Sequence, residues 1–104
     1  MTLLTRDVTI GPVILTFRCA DTETLANGKR VKRFRSIESV ARRKLRQLEI
    51  AGRLGDLRVP PGNRLEALKG RRKGQYSIRV NDQYRICFRW TAAGVKEVEI
   101  VDYH

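Results

Sequence analysis

The sequence predicts an α+β fold: a small antiparallel sheet with two or three helices, drawn from the N-terminal half, packed on one of its faces. Three observations carry that expectation. Apolar residues recur at three- and four-residue spacing between positions 37 and 48, they alternate with polar residues between positions 76 and 90, and the helical pattern comes before the alternating one. A length of 104 residues suits one compact core. We expect that domain at residues 12–104, behind a tail of residues 1–11.

In chain order, Gly11-Pro12 breaks the chain and the β-branched run Val13-Ile14-Leu15-Thr16-Phe17 follows as a first strand. Polar, weakly periodic residues from Asp21 to Leu25 suggest a short helix, stopped by Asn27-Gly28. A basic stretch, Lys29-Arg30-Val31-Lys32-Arg33-Phe34-Arg35, comes next. Ser36 stands where an N-cap belongs, ahead of a helix whose apolar face is Ile37, Val40, Ala41, Leu45 and Leu48. Its polar face carries Arg42, Arg43 and Arg46, Glu38 is spaced to pair with Arg42, and Gly52 ends it. Pro60-Pro61-Gly62 then forces a loop.

Beyond the loop the period becomes two. Tyr76, Ile78 and Val80 alternate with Ser77 and Arg79, Asn81-Asp82-Gln83 turns the chain, and Tyr84, Ile86, Phe88 and Trp90 return with Arg85, Cys87 and Arg89 on the opposite face. Ala93-Gly94 makes a second turn into a strand from Val95 to Tyr103. The aromatic residues Tyr76, Tyr84 and Trp90 are in phase with the aliphatic ones, so they belong to the core. The first strand has to join this meander from the far end of the sequence.

Charge narrows the partners. With 22 Lys+Arg against 11 Asp+Glu the net charge is +11, a field that draws polyanions and gains from counterion release, so nucleic acid ranks ahead of acidic protein or anionic lipid. No run approaches the roughly 18 apolar residues of a spanning helix, and Arg6 and Asp7 interrupt the apolar N-terminus, so neither a signal peptide nor a membrane anchor is expected. Cys19 and Cys87 are too few for a disulfide scaffold and lack zinc spacing, which suits free thiols in a reducing cytoplasm. With His104 as its only histidine the chain cannot build a His-rich metal shell, and we expect neither metal nor cofactor.

Two groups of residues could carry chemistry. The polar strand face gathers Arg79, Arg85 and Arg89, and Lys69-Gly70-Arg71-Arg72-Lys73-Gly74 leads into it; phosphates could bind there, although any single arginine on a half-exposed sheet is ordinarily just solvated. At the C-terminus Asp102-Tyr103-His104 combines an acid, a phenol and an imidazole, against the plain alternative of a frayed polar tail. A metal-free ribonuclease needs a base for the 2′-hydroxyl, cations around the phosphate and an acid for the leaving 5′-oxygen. Glu66 is a candidate base, Lys69 and Arg85 candidate cations, and His104 a candidate acid. Glu66 could equally be a structural partner of Arg64 or Arg85.

The run NRLEALKGRRKGQYSIRVNDQYRICFRW, followed by the terminal VEIVDYH, resembles the HigB family of toxins, plasmid-maintenance killer proteins with a RelE-like fold. The resemblance extends back through the amphipathic helix and Leu54-Gly55-Asp56-Leu57 to about Val13, and rests most on LKG, on Arg85 to Phe88 and on the terminal DYH. It implies a RelE-like toxin that enters the ribosomal A site, against 16S rRNA, and cleaves mRNA there, held inactive by a helix-turn-helix antitoxin of the HigA type, with operator DNA engaged only through that antitoxin. Carried over by position, it assigns Lys69, Arg85, Asp102, Tyr103 and His104 to the active site. Some members carry a histidine two residues before the Leu of LKG, where this chain has Glu66, so a histidine pair is not implied. Two other readings stay open: a ParE-like, non-catalytic gyrase inhibitor on the same fold, and a plain basic nucleic-acid-binding module.

Overall fold

A computed structural model describes residues 13–103; the expected tail, residues 1–11, and His104 lie outside the described residues. Helix α1 (Ala20–Ala26) follows Cys19 at its N-cap, and after a 3-10 turn over Lys32–Ile37 comes α2 (Glu38–Ile50). Two further 3-10 turns, Leu54–Arg58 and Pro61–Asn63, lead to the sheet. Its strands are β1 (Glu66–Ala67), β2 (Tyr76–Arg79), β3 (Tyr84–Thr91) and β4 (Gly94–Asp102), in the order β1-β2-β3-β4 and antiparallel throughout. No helix among the described residues is long and apolar enough to cross a membrane.

The expected first strand is only partly realised. Residues 13–18 run parallel beside β4 through isolated bridges at Ile14–Val95 and Phe17–Val98, with Leu15 N–H donating to Val95 O at 2.7 Å and Arg18 N–H to Val98 O at 3.0 Å. A β-bulge in β4 prevents a continuous ladder. Between the pairs Cys87–Glu99 and Arg89–Lys96, β4 advances by one residue more than β3, and Glu97 takes φ 54°, in the left-handed region. The bulge lets Val95, Val98 and Ile100 all face the core despite their uneven spacing. Gly94 makes the tight fit of this edge possible, since an added Cβ would lie 2.6 Å from Val13 O and 2.8 Å from Leu15 Cγ.

Helix α2 starts one residue later than a cap at Ser36 suggests. The chain is already wound as a 3-10 turn from Lys32, pinned by the buried Phe34 and Ile37, so Ile37 occupies the cap position and no side chain caps the helix. The apolar face expected of α2 is otherwise as observed: Ile37, Ala41, Leu45 and Leu48 are buried and Val40 is partly so. They pack with Leu25 and Phe34 over Ile78, Ile86, Phe88, Val98 and Ile100, while Tyr76, Tyr84 and Trp90 line the margin. Phe34 meets the Tyr84 ring edge-on at 5.9 Å. Helices therefore cover one face of the sheet and leave the other to residues 64–75.

A buried polar cluster fixes that second covering. Lys44, in the middle of α2, donates to Asn63 Oδ1, and the fully buried Asn63 amide donates to Leu57 O at 3.1 Å and to Gln47 Oε1 at 3.2 Å. Burial, with Arg43 and Arg79 nearby, pushes the Lys44 ammonium below its usual range. The chain leaves Asn63 through Arg64, whose φ of 45° turns it sharply into Leu65 and β1.

Candidate active site

Alternation and register decide which side chains share the polar face. Glu66, Ser77, Cys87 and Glu99 form one row across the four strands, and Arg79, Arg85 and Val101 the next. Sequence alternation leaves this face open, yet Ser77 and Cys87 are fully buried and Arg85 is only 8% exposed. Burial in turn pushes the Cys87 thiol up.

Arg85 is the centre of the row. Its Nε donates to Ser77 Oγ at 2.8 Å and its Nη2 to Arg64 O at 2.7 Å, so Ser77 and the carbonyl presented by the turn at Arg64 lock the guanidinium plane. Glu66 Oε1 lies 3.4 Å from the same Nη2, and the Tyr103 ring lies under the guanidinium at 5.6 Å. Nη1 donates no hydrogen bond among the described residues, which leaves one edge of a fixed cation for an outside acceptor. Glu66 is half exposed and Tyr103 is 45% exposed, so a carboxylate, a cation and an aromatic ring converge at an accessible margin of the sheet. The Tyr103 backbone N–H donates to Gln83 O at 2.6 Å, which ties the end of β4 to the β2–β3 turn.

The other candidates are distributed differently. Lys69, Arg71 and Lys73 are exposed on the segment before β2 and make no ion pair or side-chain hydrogen bond among the described residues. Arg72 is held by Gln75 at 2.9 Å and by Glu99 at 3.4 Å, and Arg89 by Glu97 at 3.2 Å. Glu97 reaches Arg89 because the bulge turns it onto this face. Arg79 pairs with Asp82. Asp102 sits opposite Tyr84, on the other face of the strand from Arg85, and accepts from Gln83 Nε2 at 3.0 Å. Arg85, Glu66 and Tyr103 are thus brought together, Asp102 starts from the opposite face of β4, Lys69 makes no side-chain hydrogen bond or ion pair with them among the described residues, and the position of His104 is outside the described residues. Sequence reasoning missed Ser77 and the Arg64 carbonyl; the alternation that puts Ser77 on the face of Arg85 was the available signal for the first.

Comparison with known proteins shows which family the chain resembles. A family model described as the RelE-like toxin of type II toxin-antitoxin system HigB matches residues 25–104. The chain belongs to the HigB-like toxin family. Over 55 residues, 53% of the chain, it is 56% identical to Toxin HigB-1 of Vibrio cholerae serotype O1, covering 58% of that protein. An uncharacterized protein of Haemophilus influenzae is 40% identical over 55 residues, again 53% of the chain, covering 54% of its own length. The chain therefore spans about half the length of the curated relatives it matches. Solved structures share the fold: the YoeB-YefM complex from Staphylococcus aureus gives a TM-score of 0.51 at 18% identity over 92% of this chain and 98% of the matched one. The YoeB/ParE toxin from Agrobacterium tumefaciens gives 0.50 at 18% identity over 91% and 100%. The expectation of a RelE-like α+β domain is met.

Proposed function

We propose that this HigB-like chain is the toxin of a type II toxin–antitoxin pair and acts in the cytoplasm as a ribosome-dependent mRNA endoribonuclease. The observation that supports this reading best is the immobilised Arg85 with a spare edge, set against Glu66 and Tyr103. In the reaction, Glu66 takes the proton from a ribose 2′-hydroxyl, and the 2′-oxygen attacks the adjacent phosphorus. Arg85 stabilises the charge that builds on the phosphoryl oxygens, and being fixed beforehand it spends little on reorganisation. The P–O5′ bond breaks, His104 protonates the leaving oxygen, and the products are a 2′,3′-cyclic phosphate and a 5′-hydroxyl. Tyr103 stacks on a base beside the cut, and Lys69, Arg71 and Lys73 add positive potential along the strand.

The partners that go with this reading are mRNA, the ribosomal A site with its 16S rRNA, and a HigA-type helix-turn-helix antitoxin that also carries the pair to operator DNA. Purified protein added to translating ribosomes should cut the message at discrete positions, and Glu66→Gln should slow the cut at least about a hundredfold. Equal cutting by Glu66→Gln removes Glu66 from the base role. The structural likeness to a YoeB/ParE toxin from Agrobacterium is the reason to run a gyrase supercoiling assay alongside; inhibition without RNA cleavage would replace the ribonuclease reading.

A further inference from the structure

We propose that the ridge formed by residues 29–35 is a second RNA-binding surface, separate from the Arg85 face, and that it grips the phosphates of double-helical RNA. Five of its seven residues are cationic and none is acidic. Arg33 is neutralised by Asp21 at 2.8 Å, whereas Lys29, Arg30, Lys32 and Arg35 have no side-chain partner among the described residues. Arg30, Lys32 and Arg35 line a surface cavity of about 490 Å³. The one acid at its edge, Glu38, is already held by Arg42 at 2.8 Å.

The ridge is rigid as well as charged. Phe34 and Ile37 bury it from below, Phe34 N–H donates to Val31 O at 2.9 Å, and Arg42 Nη2 donates to Lys29 O at 2.8 Å. In a 3-10 turn residues three apart eclipse, so Lys32 and Arg35 stand in line about 6 Å apart along the axis. That is comparable with the step between neighbouring phosphates of one strand.

What the ridge lacks selects among ligands. Proteins that hold single strands pair cations with exposed aromatic rings on which bases stack, and the only aromatic ring here, Phe34, is fully buried. Cations without a stacking ring suit the backbone of a duplex, which is read by shape and phosphate position. Membrane-bound basic surfaces gain most of their hold by also inserting apolar side chains, and none of the exposed large apolar residues, Leu15, Ile50, Val59 and Tyr103, lies in the ridge. Phe34 packs on Tyr84, and the next residue of β3, Arg85, points to the other face. The ridge and the Arg85 face therefore flank the same end of the sheet from opposite sides, one suited to a duplex, the other, with Tyr103 exposed, to a single strand.

This assignment rests on RNA being the target, so its test measures binding and not cleavage. An RNA hairpin with a long stem and an unstructured single strand of equal length are titrated with the full chain at several salt concentrations. Lys32→Ala/Arg35→Ala, both exposed positions, should weaken hairpin binding at least about tenfold near 0.1 M salt and lower the slope of log K against log salt by about 2. Its single-strand affinity should stay within about twofold, and Tyr103→Ala should show the reverse pattern. Unchanged hairpin affinity and slope in the double variant, or equal weakening toward both RNAs, overturns the proposal while leaving the Arg85 site standing. Loss of binding to a polyglutamate peptide with hairpin binding intact overturns it in favour of an acidic protein partner. Wild-type protein that binds neither RNA overturns the proposal too, while cleavage on translating ribosomes remains the separate test of the ribonuclease reading.

Discussion

On the helical side of the sheet, Ile78, Ile86 and Phe88 are buried among aliphatic side chains from α2; on the other side Ser77, Cys87 and most of Arg85 are buried too, with hydrogen bonds fixing Arg85 to Ser77 and Arg64. The same strands thus present an apolar surface whose burial drives folding and a polar one whose burial only fixes a geometry. A side chain on the first face is replaceable by an apolar one of similar volume and shape, whereas Arg85 depends on two specific acceptors. The difference teaches where mutations should separate stability from activity.

The widest separation is between neighbours of opposite face. Phe88→Ala should cost about 3–5 kcal/mol in denaturant unfolding, with activity lost only in proportion to the unfolded fraction. Arg85→Ala should melt much closer to wild type and yet cut RNA about 10²–10³-fold more slowly. If both variants lose stability and activity in step, the two faces do not differ as described.

Asn63→Ala sharpens the comparison because Asn63 belongs to neither face. It leaves the buried Lys44 without its acceptor and frees the turn that presents the Arg64 carbonyl to Arg85. We expect a loss of about 2–3 kcal/mol in stability. Cleavage, measured where the variant remains folded, should fall a further tenfold or so through kcat rather than KM. Smaller still is Tyr103→Ala: no measurable change in melting, and a rise in KM for mRNA of about 5- to 100-fold, the equivalent of one lost stacking partner.

Local patterns made the apolar face readable in advance. The spacing of Ile37, Ala41, Leu45 and Leu48 and the alternation through Ile86 and Phe88 depend on neighbours three, four or two residues away, and the structure follows both. The polar face was harder to read because its features are made over long distances. Strand β1 is two residues long and exists only because Glu66 and Ala67 meet Ser77 and Tyr76. The bulge puts a glutamate at a positive φ, which no propensity suggests, and so Glu97 and Glu99 neutralise Arg89 and Arg72, two cations that looked available for RNA. Ser36 misled for a related reason: the burial of Phe34 winds the chain before the hydroxyl can cap it. Arg85, Glu66 and Tyr103 were singled out from sequence, but the acceptors that hold Arg85 depend on how Asn63 is anchored, and nothing local marks Asn63 as buried.

The most direct test of the polar face as a catalytic one is to map the cut made on translating ribosomes and replace the single nucleotide 5′ to it by its 2′-deoxy counterpart. The expected result is that wild-type protein no longer cleaves that message at that position while still cutting the unmodified one to a 2′,3′-cyclic phosphate end. Cleavage of the deoxy-substituted message at an undiminished rate would contradict attack by the 2′-hydroxyl, and with it the role given to Glu66 and Arg85.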